Sequence, residues 1–211
     1  CHRGVTTAAA FAPTGNSLAL GSQAGQLRLL DYPSHSVRWT AQPSNRWIGT
    51  IAFSPDGQTI GCCGTDLSLH DANTGHELLR IEGVGPRGFA WSRDGTRFAY
   101  AVGNRVFVSG EAGQPSKLWA STRGYVSALS FAEDGTVLVG VSGSAWHIAG
   151  CGRKPTLRTQ HTTERSIHLV GLAGVGEDVL SVADRGNLRR NGEEFAIPVH
   201  ASAFSATADG N

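Results

Sequence analysis

The sequence predicts an all-β chain built from repeated four-stranded antiparallel units, and three observations lead to this prediction. A pattern of alternating apolar residues, an aromatic, a polar turn and a second apolar run recurs, most clearly in IAFSPDGQTI at 51–60. Its aromatic positions, Phe11, Phe53, Trp91 and Phe131, lie about 40 residues apart. Each period holds four short apolar runs bounded by turn residues. Such periods are typical of the blades of a β-propeller.

The second period shows the four runs most clearly. They cover 48–54, 59–64, 67–71 and 76–82. Short runs separated by tight turns in this way are typical of antiparallel strands. Applied to the whole chain, the period predicts a single propeller over 1–211 with five complete blades near 1–42, 43–83, 84–122, 123–162 and 163–199. Residues 200–211 then supply the first strand of a sixth blade.

The polar turns of the second, third and fourth units carry an Asp-Gly pair, at Asp56-Gly57, Asp94-Gly95 and Asp134-Gly135. An Asp side chain accepts hydrogen bonds within its own turn, and Gly takes a positive φ at little cost. One carboxylate per blade does not form the clustered oxygen cage that calcium needs. We therefore interpret these aspartates as turn residues.

Three stretches carry a family resemblance: FSPDG at 53–57, LHDANTG at 69–75 and CHRGVTTAAAF at 1–11. They resemble the WD-repeat β-propellers, in a divergent form of bacterial type, and His2 falls at the place of the family's Gly-His dipeptide. The eponymous Trp-Asp reads Leu30-Asp31 and His70-Asp71 in the first two units. Because the polar network that braces typical blades is thus mostly missing, we expect these sheets to be held chiefly by apolar packing.

The chain has no methionine, at position 1 or elsewhere. An inner strand at the end of the chain without partners would leave an exposed edge, which is prone to aggregate. We therefore expect a fragment of a protein that begins before Cys1 and continues past Asn211, with six or seven blades; a closed five-bladed ring is the alternative. The resemblance implies that such propellers are often the sensing or docking part of larger proteins.

Composition argues against several classes of function. The net charge is +1, so no strong field favours nucleic acid or a membrane surface. The basic stretches RKPTLR at 153–158 and RGNLRRNG at 185–192 lack interleaved aromatics, and we interpret them as a solvated face, so nucleic acid is a disfavoured partner. The sequence contains no run of about 18 apolar residues, so it predicts no membrane-spanning helix.

The cysteines predict buried free thiols. Cys62 and Cys63 lie inside the apolar run TIGCCGT at 59–65, and no CxxC spacing occurs. Adjacent cysteines cannot bridge each other without strain. Unpaired cysteines favour a reducing compartment, so we expect a cytoplasmic protein. A lipoprotein anchored through Cys1, or a periplasmic form, is the alternative.

No catalytic or cofactor-binding motif is complete. GVSGSAW at 140–146 has the wrong spacing for a nucleophile elbow, and GLAGVGED at 171–178 lacks the lysine of a phosphate loop. The histidines are dispersed, and His161 and His168 could share a metal only if the loop between them folded back. We predict no enzyme, no cofactor and no metal. The alternative is a hydrolase or lyase at the central channel, although the innermost strands supply almost no His, Asp or Glu.

The predicted function is a non-catalytic protein–protein interaction platform. In the family, the loops between blades and the turns between second and third strands form the usual contact face. Aromatic and Arg side chains are the usual anchors of interfaces. The candidates in these loops are Arg46, Trp47, Arg87, Asn104, Arg105, Arg123, Tyr125, Asp184 and Arg185. Trp47 has a competing interpretation, which the sequence favours, as a core residue at the start of its strand. The expected partner is a protein of unknown identity or a further domain of the same polypeptide.

Overall fold

The computed structural model describes residues 4–86, 88–109, 116–122, 124–131, 135 and 137–141, and the backbone of six further strands between 145 and 195. These residues form strands and turns, and no helix occurs among them. The all-β prediction is therefore confirmed.

The strands pair in chain order within four-stranded sheets, as the sequence predicts. The first sheet contains β1 Thr6–Phe11, β2 Ser17–Ser22, β3 Leu27–Asp31 and β4 Val37–Ala41. The second contains β5 Thr50–Phe53, β6 Thr59–Cys63, β7 Leu67–Asp71 and β8 Glu77–Ile81. The third contains β9 Gly88–Trp91, β10 Phe98–Val102, β11 Arg105–Val108 and β12 Lys117–Ser121. The remaining strands are β13 Val126–Phe131, β14 Val137–Val141, β15 Ala145–Ala149, β16 Leu157–His161, β17 Leu169–Val175, β18 Asp178–Ala183, β19 Leu188–Arg190 and β20 Glu193–Phe195.

The chain divides into two compact units, residues 1–91 and 92–211. In the first unit, the core lies where the first sheet packs on the second. Its buried residues are Ala19, Leu27, Leu29, Ile48, Ile51, Ile60, Cys62 and Ala72. Because alternate residues of a strand point to opposite faces, one face of each sheet supplies the strand residues of this cluster, and Ile48 and Ala72 join it from the adjoining loops. Glycine then permits a close approach on the other side of β6, where a Cβ on Gly61 would lie 2.4 Å from the Phe89 ring.

In the second unit, aromatic and β-branched residues fill the described core. The ring of Tyr100 stacks on that of Phe107, with centroids 5.1 Å apart and planes at 9°. Val126, Val137 and Val139 are buried on the paired strands β13 and β14. Both units therefore rest on apolar packing, as expected for a divergent propeller.

The two adjacent cysteines behave as small apolar residues. Cys62 and Cys63 are free and buried on β6. Burial disfavours the thiolate and raises the pKa of Cys62 to about 12. The prediction of buried, unpaired thiols in this strand is confirmed.

The Asp-Gly turns have the predicted chemistry. Asp56 Oδ1 accepts hydrogen bonds from Ser54 Oγ at 2.5 Å and from the Gln58 amide at 3.0 Å, and Gly57 has a φ of 71°. Asp94 makes the same pair of bonds with Ser92 and Thr96, which lowers the pKa of its carboxyl to about 2. Asp134 lies outside the described residues.

His70 adds a polar brace that the sequence analysis did not anticipate. Its imidazole is buried on β7, with Nε2 3.0 Å from Ser68 Oγ and Nδ1 3.2 Å from the Gly75 carbonyl. Since a carbonyl only accepts, Nδ1 carries the proton and Nε2 accepts from Ser68. The neutral ring thus links β7 to the turn that follows it.

We expect this brace to weaken in mild acid. Burial lowers the pKa of His70 from its ordinary value of 6.5 because the imidazolium is poorly solvated there. A depressed pKa stabilises the fold fully above about pH 6.5, and this stabilisation is lost as pH falls through the folded-state value. The free energy of unfolding, measured with urea from pH 7.5 to 5, should therefore decline less steeply in His70→Gln than in the wild type. Equal slopes for His70→Gln and the wild type would contradict this assignment.

Candidate functional site

The candidate site lies at one edge of the first two sheets, which we call the upper edge. It comprises the loop 42–49, which leads into β5, and the turns 23–26 and 64–66, which connect second to third strands. These are the loop classes in which the sequence analysis placed its candidates. The lower edge is the opposite end of the same strands, with the turns 12–16, 32–36, 54–58 and 72–76.

Ser44 anchors the loop 42–49 from within. Its hydroxyl is buried, accepts a hydrogen bond from the Arg46 amide at 3.2 Å and lies 3.1 Å from Thr65 Oγ1. Its backbone amide donates to the Gly25 carbonyl at 3.4 Å. One small side chain and its backbone therefore tie the loop to both neighbouring turns.

The first sheet fixes the two ends of the same loop. Gln42 Nε2 donates to the Ala24 carbonyl at 2.7 Å and to the Ser44 carbonyl at 2.6 Å. At the other end, the Ile48 amide donates to the Ser22 carbonyl at 3.1 Å, and Thr7 Oγ1 donates to the Ile48 carbonyl at 2.6 Å. These bonds hold both ends of the loop against the first sheet.

An ion-pair network completes the brace on the second sheet. Arg80 Nη1 donates to the Pro43 carbonyl at 2.8 Å and to Asp66 Oδ2 at 2.9 Å, while Asp66 Oδ1 accepts from the Gly83 amide. Arg80 also pairs with Glu77, and this hydrogen bond lowers the pKa of the Glu77 carboxyl. Asp66, in the turn between β6 and β7, is therefore engaged in holding the loop.

Arg46 and Trp47 project from this braced loop. Arg46 is exposed, and within the described residues no hydrogen bond or ion pair engages its guanidinium. The Trp47 side chain is 47% exposed, so the interpretation of Trp47 as a core residue is wrong. The physical reason is that the next residue, Ile48, fills the core position and is fully buried. The indole instead lies over Gly49, where an added Cβ would come within 1.8 Å of the ring.

The second unit repeats this local design. Thr122 is buried, and its Oγ1 donates to the Gly124 carbonyl at 2.6 Å and contacts the Asn104 carbonyl at 3.2 Å. Asn104 Nδ2 returns a bond to the Thr122 carbonyl at 3.1 Å. Tyr125, three residues after Thr122 as Trp47 is after Ser44, is 69% exposed. Arg105, next to Asn104, is exposed as well.

An exposed apolar side chain thus recurs six residues before the aromatic of a repeat. Val5, Trp47 and Tyr125 all hold this position, and Val5 is 68% exposed. The following residue of the second and fourth repeats, Ile48 or Val126, is buried. Sequence reasoning missed Ser44, Thr65, Gln42 and Arg80 as braces. A hydroxyl residue three positions before the exposed aromatic, Ser44 in SNRW and Thr122 in TRGY, is the signal that could have found Ser44 and its counterpart in the fourth repeat.

Four candidates, Arg87, Arg123, Asp184 and Arg185, lie outside the described residues. The metal pair is untested as well, because His168 and the side chain of His161 lie outside the described part of the chain. Within the described part of the chain, no three His, Cys, Asp or Glu side chains come together as a metal site would require. No helix long and apolar enough to cross a bilayer occurs among the residues the structure describes.

The lower edge offers a cleft but little chemistry. It has a volume of about 240 Å³ between the first and second sheets, with Leu29 and Phe53 on its apolar side and Asn16 and Asn73 on its polar side. Its carboxylate, Asp56, already accepts the two hydrogen bonds of its own turn. The innermost strands β1, β5, β9 and β13 contain no His, Asp or Glu.

Two comparisons with known proteins place the fold. No protein-family model matches the chain. WD repeat-containing protein 1 of Xenopus tropicalis is 26% identical over 96 residues, which covers 42% of this chain and 16% of that protein. The crystal structure of the Myceliophteria thermophila Cps50 (Swd1) β-propeller domain superposes with a TM-score of 0.77 at 17% identity, over 90% of this chain and 65% of that one. The fold is that of a β-propeller.

The predicted β-propeller fold is thus confirmed, and part of the chain is similar in sequence to a WD-repeat protein. This propeller chain spans only part of both similar proteins, a sixth of the first and two thirds of the second. Its upper edge, with Arg46 and Trp47, is formed by the loop and turn classes predicted for its contact face.

Proposed function

We propose that this propeller is a non-catalytic platform that docks a protein partner through the upper edge. The observation that carries the proposal is the exposure of Arg46 and Trp47 on a loop that Ser44, Gln42 and Arg80 hold in place. WD-repeat propellers typically serve as scaffolds for protein interactions, which supports the same assignment.

The geometry suits an energetic anchor. Trp and Arg are enriched among the residues that dominate binding energy. A side chain on a rigid loop loses little conformational freedom when it binds, so more of its contact energy appears as affinity. Val5 and Tyr125 are exposed at the equivalent position of the first and fourth repeats, so these repeats also present a side chain for contact at this position.

The finer architecture is part of the proposal. We propose one propeller with five complete blades and the first strand of a sixth, belonging to a longer bacterial polypeptide that acts in the cytoplasm. The docked partner is a protein or a further domain of the same polypeptide. Arg87, Arg105, Arg123 and the turn at Asp184-Arg185 supply further contacts on the same kind of edge.

Removal of the two anchors tests the docking function. In the double variant Arg46→Ala, Trp47→Ala, we expect partner affinity to fall about thirtyfold, because an anchor of this type contributes about 2 kcal/mol. The melting temperature should change little, since exposed substitutions rarely cost more than about 0.5 kcal/mol. Partners co-purified with the tagged full-length protein would be identified by mass spectrometry, and their binding measured with the purified proteins.

The matched control is Tyr32→Ala, Arg38→Ala, which removes an exposed aromatic and an Arg from the lower edge. This control should bind like the wild type. Partner loss with the control and retention with the Arg46, Trp47 variant would move the docking site to the lower edge.

A further inference from the structure

The lower-edge cleft between the first two sheets has a mixed lining. Its apolar side chains are those of Ala12, Leu29, Phe53 and Ala72. Its uncharged polar side chains are those of Thr14, Asn16, Ser17, Gln58 and Asn73. An apolar wall that meets a few polar groups is the usual form of a site for a small molecule.

Much of the polar lining has hydrogen-bonding capacity that the fold does not use. Thr14 and Asn16 are exposed, and no hydrogen bond to another described residue engages their side chains. Asn73 Nδ2 donates to Gln58 Oε1 at 3.1 Å, which leaves Asn73 Oδ1 as an acceptor and Gln58 Nε2 as a donor for a ligand. Neutral donors and acceptors therefore stand side by side along the cleft.

The two charged side chains of the cleft are already engaged by the protein. Arg38 forms an ion pair with Asp31, and Asp56 Oδ1 accepts hydrogen bonds from Ser54 and from the Gln58 amide. A charged ligand would have to compete with these interactions. A neutral ligand adds to them, because Asp56 Oδ2 still accepts and the remaining guanidinium N–H groups of Arg38 still donate.

The size of the cleft and the half-buried ring of Phe53 fit a single sugar ring. The volume of about 240 Å³ equals that of roughly eight water molecules, at about 30 Å³ each. Each hydroxyl group of a pyranose both donates and accepts, which matches the mixed lining. Its C–H groups carry a small positive charge, and the face of an aromatic ring is negative.

We propose that the lower-edge cleft binds one uncharged pyranose unit of a saccharide. The hydroxyl groups of the sugar bond to Asn16, Asn73 and Gln58, and its C–H groups pack on Phe53. This binding is independent of the protein docking proposed for the upper edge, because the two sites share no residue.

Saturation-transfer NMR on the full-length protein tests this proposal. The probes are the methyl pyranosides of glucose, galactose, mannose and N-acetylglucosamine, each at millimolar concentration. We expect saturation transfer to at least one of them, and titration then gives its dissociation constant. Absence of transfer to all four would overturn the proposal.

A pair of matched double variants locates the bound sugar. Asn16→Ala, Asn73→Ala should weaken binding about tenfold or more, because two hydrogen bonds to the sugar are lost. The control Gln23→Ala, Asn45→Ala removes two exposed amides from the upper edge and should bind like the wild type. All four positions are exposed, so both variants should keep the wild-type melting temperature. An equal loss of affinity in the two variants, or no loss in either, would overturn the proposal.

A charged probe separates a neutral sugar from an anion. Methyl glucuronide has the same ring with a carboxylate, which Arg38 would attract. We expect it to bind no more tightly than the best neutral probe. Binding of the glucuronide alone, abolished by Arg38→Ala, would assign the cleft to an anion and overturn the proposal.

Discussion

Substitution of Gly25 by Ala is expected to destabilise the first unit by about 3 kcal/mol, one of the two largest effects that we predict for a single residue. Gly25 has a φ of 78°, and a Cβ there would lie 2.2 Å from the Ser44 carbonyl oxygen and 2.4 Å from that of Arg46. Both contacts are backbone atoms of the braced loop, which cannot rotate away. The substitution should therefore displace the loop that carries Arg46 and Trp47.

Gly15→Ala is the matched control for Gly25. Gly15 has a similar φ of 73°, but nothing lies within 4 Å of an added Cβ. Gly15→Ala should therefore lower the free energy of unfolding only by the strain of a left-handed backbone, about 1 kcal/mol. Urea unfolding measures the free energy of unfolding of both variants. Equal decreases in the two would contradict the prediction that a Cβ at position 25 clashes with the loop.

Truncation of Leu29 to Ala should destabilise the first unit by a similar amount, about 3 kcal/mol. Leu29 is 1% exposed in the core between the first two sheets. Loss of a fully buried leucine removes its transfer free energy and leaves a cavity that packed neighbours fill only in part. Thermal and urea unfolding should both show the loss.

The control for Leu29 is Leu78→Ala on the outermost strand of the second sheet, where the side chain is more than half exposed. We expect a change of about 0.5 kcal/mol or less. A loss for Leu78 as large as that for Leu29 would contradict the placement of the core between the first two sheets.

The strands could be predicted closely because their limits are local. In the second sheet, the predicted runs 59–64 and 67–71 correspond to β6 Thr59–Cys63 and β7 Leu67–Asp71. Asp-Gly turns and strict alternation act over a few residues, so one sequence contains the signal. The predicted start at 48 was two residues early because the Ile48 amide bonds to Ser22 of the first sheet.

The site could be predicted only in part. The position of Arg46 in an exposed loop followed from the repeat pattern. The exposure of Trp47 did not, because either Trp47 or Ile48 could fill the core and the choice depends on sheet packing. The brace that Ser44, Thr65 and Arg80 form joins residues about 20 to 40 positions apart, and no local pattern encodes such contacts.

The most direct measurement for the docking proposal is site-specific photo-crosslinking of the full-length protein in its source cells. A photoreactive aromatic residue would replace Trp47 at the upper edge or, as the control, Tyr32 at the lower edge, since both positions hold exposed aromatic side chains. The proposal predicts a covalent adduct from position 47, to one defined protein or to a distant segment of the same polypeptide, and none from position 32. Adducts from position 32 with none from position 47 would contradict it.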